Sequence, residues 1–447
     1  MKKLTNIKKN YLNFNIKIKN KTDRLFINKD LKNLFQLQIR LNESGHLNRG
    51  IADENLVKLT KRQFFGKDII KFIIYIYSLF FKLFNKKPKI FFRSFSASET
   101  YENKLFENLK KKNINSLGII SYNKSLKNKL RYVINHTWIF DMIERSLETS
   151  SVISKYKCTT NKKLYKKFES KNFIGNISSA LKKDIFFISK ILVNLNIHGV
   201  LIHSDQTIPG YIFIKAARNN KIKCAVLAHG TLKNINLTSV LPLHADKIFV
   251  WSQETKDLIN HLSRKETAIL VKGIKSSIIK TKKNKNKIIF ASDPLGFIDR
   301  KLEIKFIQFL KKVKNFHDSA KLIFCSHPSD CRTNKIFQKI EESGWNLSQK
   351  SIYYEARDAK LVIGGVSSFL FESNQNNIPS IQLLELLQNF PESKYIEDLR
   401  KHFKIDNIPQ ITFDKFIYSL KLNFKNINFS CHKSYIDTSR IINFFCK

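Results

Sequence analysis

The sequence predicts an α/β protein of two lobes facing a cleft, preceded by a basic helical extension, and three observations predict it. Short apolar runs of strand length alternate with stretches of helical spacing, the alternation halts at a lysine-rich segment and then resumes, and the strand-like runs end in polar or glycine-bearing turns. Strands that alternate with helices form parallel sheets covered on both faces, and such sheets place ligands at the carboxyl ends of their strands.

Residues 1–87 read as the basic, mostly helical extension. Its longest apolar run, Ile69 to Phe84, contains Lys71 and Lys82 and falls short of the roughly 20 residues a membrane span requires. Two readings fit it: a buried packing helix, or a basic, aromatic-rich helix lying in a membrane interface. The first lobe is assigned to 88–274. KIFFRSF and SLGIISY bracket a helical stretch as a parallel βαβ unit, 125–180 reads as helical without clear boundaries, and GVLIHSD, KCAVLAHG, ADKIFVWS and TAILVKG are further strands separated by helices. The segment 275–287 carries six lysines and no acid, and reads as a solvated linker between lobes or as a phosphate- or membrane-binding arm. A second series fills 288–390, with KIIFASD, AKLIFCSHP, KLVIGGVSS and IPSIQLL as strands, and 391–447 reads as terminal helices. Each series has the pattern of a Rossmann-like lobe.

Composition narrows the function classes. The chain has 447 residues, with 80 Lys and Arg against 36 Asp and Glu, a formal charge of +44. At 43% hydrophobic and 26% charged it is too apolar for a disordered chain and too interrupted for a polytopic membrane protein. Heavy use of Phe, Ile, Asn and Lys, as an AT-rich coding sequence produces, accounts for part of the charge. So basic a surface still attracts polyanions, including acidic headgroups and phosphorylated substrates. The basic residues are spread along the chain rather than gathered on one module, which argues against specific nucleic-acid binding. Six cysteines without CxxC or matching histidine spacing argue against a zinc site or disulfide framework and fit a reducing cytoplasm. Lysines interrupt the N-terminal segment where an export signal needs an apolar core. The expected location is cytoplasmic, with peripheral contact at the inner face of the plasma membrane as an extension of it.

Four strand ends carry candidate chemistry. Asp205, in His203-Ser204-Asp205, reads as a general base or as the cap of the following helix. His229, in His229-Gly230-Thr231, sits where a glycine lets the backbone turn and an imidazole can exchange a proton near neutral pH. His327 precedes Pro328, which stops its strand and projects the imidazole beyond the sheet. The Gly364-Gly365-Val366-Ser367-Ser368 turn opens a helix, an arrangement that offers free N–H groups and hydroxyls to a phosphate, or merely caps that helix. Glu372, one turn on, is suited to a ribose or to the helix dipole.

Together these residues resemble the bacterial GT-B superfamily of cell-surface polymer transferases. His327-Pro328 and Ser367-Ser368 are similar to the HP and SS motifs with which bacterial sialyltransferases and polysialyltransferases hold the CMP part of their donor. His229-Gly230-Thr231 looks like the HGT turn of the CDP-glycerol glycerophosphotransferases, whose histidine is the proposed base. The resemblance spans roughly residues 195 to 385. It implies a nucleotide site made of His327, Pro328, Gly364, Gly365, Ser367, Ser368 and Glu372, for a nucleotide-sugar or CDP-alditol donor. It implies His327 as the group that stabilises the leaving phosphate, and His229, or failing it Asp205, as the base. The positive first lobe and the 69–84 segment suit an anionic glycan or a lipid-linked chain as acceptor. No metal and no cofactor beyond the activated donor enter this scheme. A UDP-sugar epimerase of the same fold, recognisable by turnover without an acceptor, and a non-catalytic scaffold of the same pathway are the competing readings.

Overall fold

The computed structural model of the protein describes residues 2–43, 66–84, 89–93, 105, 108–109, 111–119, 142–228, 241–251, 253–263, 265–271, 279, 285–293, 297, 299–316, 320–327, 330, 332–389, 408–429 and 437–446. Near-continuous apolar runs become strands buried on both faces, as the Ile197–Ile202 and Ala359–Gly364 segments show. The first sheet contains β1 (Lys89–Arg93), β2 (Asn115–Ile119), β3 (Ile197–Ile202), β4 (Lys223–Leu227), β5 (Lys247–Val250) and β6 (Ala268–Leu270), paired in the order β2-β1-β3-β4-β5-β6. The second contains β7 (Lys287–Ala291), β8 (Lys321–Cys325), β9 (Asn346–Leu347), β10 (Ala359–Gly364), β11 (Ser380–Leu383) and β12 (Gln410–Ile411), in the order β12-β11-β10-β7-β8-β9. Every pairing is parallel.

Counted within its own lobe, the second sheet runs 3-2-1-4-5-6, the doubly wound dinucleotide-fold order; the first runs 2-1-3-4-5 with a sixth strand added. The chain therefore has the two Rossmann-like sheets that its alternating pattern predicts, the architecture of the GT-B type. The short edge strands β9 and β12 stand in no apolar run and are additions to the expected set.

Helices α1 (Lys2–Leu25), α2 (Lys29–Glu43) and α3 (Lys67–Phe84) precede the first sheet. Between its strands lie α4 (Glu148–Lys155), α5 (Asn161–Lys167), α6 (Lys171–Asn194), α7 (Ile208–Asn219) and α8 (Gln253–Ser263). The second lobe contributes α9 (Arg300–Phe316), α10 (Asn334–Glu342), α11 (Ile352–Glu355), α12 (Ser368–Gln375) and α13 (Phe413–Lys421), and the chain closes with α14 (Thr438–Cys446).

The basic extension is built into the first lobe. Phe14, Ile18, Thr22 and Phe26, four residues apart, are buried, while the lysines between them face water. The Phe26 and Phe35 rings lie 5.0 and 4.7 Å from Phe168, so α1 and α2 share one aromatic cluster with the segment joining α5 to α6. α3 packs one face on α6, burying Ile74 and Ser78, with Asn194 donating to the Ser78 hydroxyl at 3.0 Å. Lys71 turns inward to Glu148 at 3.0 Å and Asp184 at 3.4 Å. Asp184 accepts the Glu148 and Thr149 N–H groups at 2.8 Å each and so caps α4 from another helix. Burial pushes its carboxyl pKa up, with Lys71 and these hydrogen bonds opposing. The opposite face of α3 is solvent-exposed, so the 69–84 segment is half packed and half bare. No helix among the described residues is long and apolar enough to cross a membrane.

The last helix returns to the first sheet. Arg440 donates to the Leu270 carbonyl at 2.8 Å, the Phe444 ring meets Phe249 at 5.9 Å, and a Cβ on Gly199 would collide with the Phe445 ring. The two lobes touch through Trp251 and Phe371, 6.4 Å between ring centroids, and through Ile279, whose N–H donates to Asn376 at 2.9 Å.

Candidate functional site

In a doubly wound sheet the crevice opens where strand order reverses, between the first and fourth strands of the lobe. Here that point lies between the ends of β7 and β10, and the Gly364–Ser368 turn emerges there. Its glycines are required by close contact with the end of β7 and with the turn after β11. A Cβ on Gly364 would lie 2.5 Å from the Ala291 carbonyl oxygen; one on Gly365 would lie 2.8 Å from the Leu386 Cβ and 3.3 Å from Asp293 Oδ2. Gln382 donates to the Gly365 carbonyl at 3.0 Å and pins the turn from β11. Ser367 is the N-cap of α12, its hydroxyl accepting the Phe369 N–H at 3.3 Å. Val366, Ser367 and Ser368 remain half-exposed at the mouth. Ser367 therefore caps α12 while residues 366–368 stay partly accessible.

His327 leaves β8 on the other side of β7 and is half-exposed. β8 and β10 stand two strand spacings apart, about 10 Å in the sheet. The His327 carbonyl accepts the Asp330 N–H at 2.8 Å, which closes the loop immediately after it. Pro328 lies outside the described residues. Cys325, which ends β8, is buried, and burial pushes its thiol pKa up to about 12, so it is no nucleophile at neutral pH.

Beneath this mouth lies a charged cluster absent from the strand-end candidates. The Arg332 guanidinium reaches Asp330 Oδ2 at 2.6 Å, Ser292 Oγ at 2.5 Å, the Asp293 carbonyl at 3.1 Å and Asp293 Oδ1 at 3.2 Å. Its carbon centre sits 5.1 Å from the Phe297 ring centroid. All three charged side chains are 3% exposed or less. Arg332 thereby ties the loop after His327 to the end of β7, directly under Gly365. The available sequence signal was the Asp330-x-Arg332 pair two residues beyond His327-Pro328, and the Asp293 that ends KIIFASD.

Glu372 is buried and accepts the Tyr353 hydroxyl at 2.6 Å. Tyr353, on α11, is partly exposed and packs edge-on against Phe369 at 5.2 Å. Glu372 is thus linked to the surface through a phenol.

In the first lobe, the strand ends hold each other. His203 Nδ1 pairs with the Leu227 carbonyl at 2.9 Å, and Trp251 Nε1 donates to the Ala228 carbonyl at 3.1 Å. Both fix the end of β4 just before His229, which with Gly230 and Thr231 lies outside the described residues. Asp205 is buried, and its Oδ2 accepts the His244 and Ala245 N–H groups at 2.5 and 2.9 Å. Gln206 donates to Asp205 Oδ1 at 3.3 Å and to the Pro242 carbonyl at 2.8 Å. This corrects the reading of Asp205 as a helix cap. Its carboxylate accepts from the loop before β5, and the cap of α7 is Thr207, whose hydroxyl accepts the Gly210 N–H at 3.2 Å. His244 packs edge-on against Tyr211 at 5.2 Å, and burial lowers its pKa while Asp205 opposes.

No protein-family model matches the chain, and no curated protein matches it. Among solved structures, it is similar to a UDP-GlcNAc 2-epimerase from Methanocaldococcus jannaschii in complex with UDP-GlcNAc and UDP, at 13% identity and a TM-score of 0.46, covering 80% of this chain and 99% of that one. A putative UDP-N-acetylglucosamine 2-epimerase from Listeria monocytogenes gives 12% identity and a TM-score of 0.43, over 78% of this chain and 99% of that one. MurG from Acinetobacter baumannii gives 10% identity and a TM-score of 0.42, over 80% and 99%.

Proposed function

We propose that the protein is a GT-B type transferase of cell-surface or capsular polysaccharide biosynthesis, moving a sugar or polyol phosphate from a cytidine nucleotide donor to a glycan or lipid-linked acceptor. The observation that carries this reading is the placement of the Gly364–Ser368 turn and the α12 N-terminus at the reversal point of the second sheet, with His327 across β7 from it. A helix N-terminus with glycines behind it and hydroxyls in front favours a phosphate.

In this scheme the donor phosphate rests on the turn, and Glu372 with Tyr353 faces the ribose. The acceptor hydroxyl attacks the anomeric carbon, or the distal phosphorus of an alditol donor, as the bond to the departing CMP breaks. His327 donates a hydrogen bond to the leaving phosphate oxygen, a contribution on the order of 3 kcal/mol when the donor is pre-placed. His229 takes the proton from the acceptor hydroxyl. Asp205 positions the first lobe's loops and leaves the base role to His229. The scheme routes no step through a metal. Its setting is the cytoplasm and the inner face of the plasma membrane.

Thermal stabilisation by CMP, CDP, UMP and UDP tests it, repeated on His327→Ala. Selective stabilisation by cytidine nucleotides that vanishes in the variant supports the reading. Selective stabilisation by uridine nucleotides replaces it with a UDP-sugar enzyme, and no stabilisation by any replaces it with a scaffold.

A further inference from the structure

We propose that the outer face of α3 docks the protein on an anionic lipid bilayer. Ile69, Ile73, Ile76, Phe80 and Leu83 recur at four- and three-residue spacing, and with Phe72 beside Ile73 they form one stripe. Four of them are strongly exposed, at 66% for Ile69, 64% for Phe72, 62% for Phe80 and 71% for Leu83. The stripe runs about 21 Å along the helix at 1.5 Å per residue. Large apolar side chains in so continuous a row mark a contact surface rather than ordinary scatter.

The opposite face explains why the stripe points outward. Lys71, Ile74, Ser78 and Phe81 face the protein, where Lys71 pairs with Glu148 and Asp184, Ser78 accepts from Asn194 and the Phe81 ring meets Lys89. α3 is therefore anchored by polar bonds and cannot roll to bury the stripe without breaking them.

Charge selects the occupant. After Asp68 the helix carries no acid; Lys67 and Lys82 stand at its two ends, and Lys86 and Lys87 follow in the sequence. A second copy brought to this face adds another +44 molecule, which repulsion opposes. An acidic bilayer reverses that sign and accepts aromatic and aliphatic groups a few ångströms deep, with the cations left at headgroup level. The inference extends the lipid-linked acceptor of the proposed function, yet it rests on different residues, so either can fail alone.

The test is sedimentation of the full chain with vesicles, without donor or acceptor. One set contains phosphatidylcholine only and the other adds phosphatidylglycerol. The expected result is recovery with the anionic vesicles, weakened by salt, and a loss of partitioning of about tenfold or more in Phe72→Ser/Ile76→Ser/Phe80→Ser, whose charge is unchanged. A retained melting temperature shows that the inner face still packs. If the triple variant melts early, the single changes Phe72→Ser and Phe80→Ser give the same loss in smaller steps. Absence of binding overturns the proposal, as does equal binding by the variants, which assigns attraction to charge alone. A wild-type dimer in light scattering that these variants dissolve assigns the face to a second copy instead.

Discussion

Arg332 stands 2.6 Å from Asp330 and 3.2 Å from Asp293, joining the loop after His327 to the strand end beneath Gly365. Removing one partner of such a buried set leaves a charge without compensation, typically about 3–5 kcal/mol. Arg332→Ala is expected to lose about that much stability in urea denaturation. Arg332→Lys keeps the charge but not the planar fork, and is expected to retain part of the stability while nucleotide stabilisation falls. A loss below about 1 kcal/mol for Arg332→Ala would show that the cluster does not hold the loop.

The glycines give a sharper contrast. Gly365→Ala forces a Cβ to 2.8 Å from Leu386, and Gly364→Ala forces one to 2.5 Å from a backbone oxygen that cannot move cheaply. Each is expected to cost about 1–3 kcal/mol and to displace the turn. Gly175, exposed within α6, has nothing within 4 Å of its virtual Cβ. Gly175→Ala is expected to stabilise by about 0.4–1 kcal/mol. Thermal melts of the three variants side by side, with and without nucleotide, decide both points; a neutral Gly364→Ala would contradict the packing described.

Strands were legible where a run is buried on both faces, since KIIFA and KLVIG need no partner to be recognised. The edge strands β9 and β12, at two residues each, carry no such run. The burial of α1 was hidden because its apolar positions are interspersed with lysines, and only the packing of α2 beside it gives them a destination. The return of α14 to Gly199 joins residues far apart in the chain, which local pattern does not reveal. In the candidate site, the Gly364–Ser368 strand-to-helix turn is a local signal, legible from its glycines and serines alone. The Arg332–Asp293 pair spans 39 residues and becomes visible only once β7 and β8 are known to be neighbours.

Asp205 and His229 are the two candidates for the base of the proposed transfer. The Asp205 carboxylate receives two backbone N–H groups from the loop before β5. Asp205→Asn keeps one acceptor oxygen and is expected to lower stability by about 1–3 kcal/mol and to slow transfer without changing the shape of its pH profile. His229→Ala is expected to remove the acidic limb of that profile along with most of the rate. Should Asp205→Asn abolish the limb while His229→Ala leaves it, the two roles are exchanged.

Lys89 provides a pH test of the fold at the start of the first sheet. It is buried, donates to the Leu195 carbonyl at 3.0 Å and lies 4.3 Å from the Phe81 ring centroid. Burial lowers its pKa from 10.5 to about 8. Below about pH 8 both folded and unfolded chains hold the proton, and the folded state bears the full cost of the buried ammonium. Between about 8 and 10.5 the unfolded chain binds more protons, so this group's contribution to stability rises with pH and levels off above the unfolded value. Lys89→Met removes the titration while keeping a side chain of similar length. Whatever offset the variant has at pH 7, the wild type is expected to gain on it steadily from pH 8 to pH 10 in paired denaturation curves, because the other titrating groups cancel in the difference. A gap that stays constant over that range would mean that the ammonium is hydrated in the folded protein.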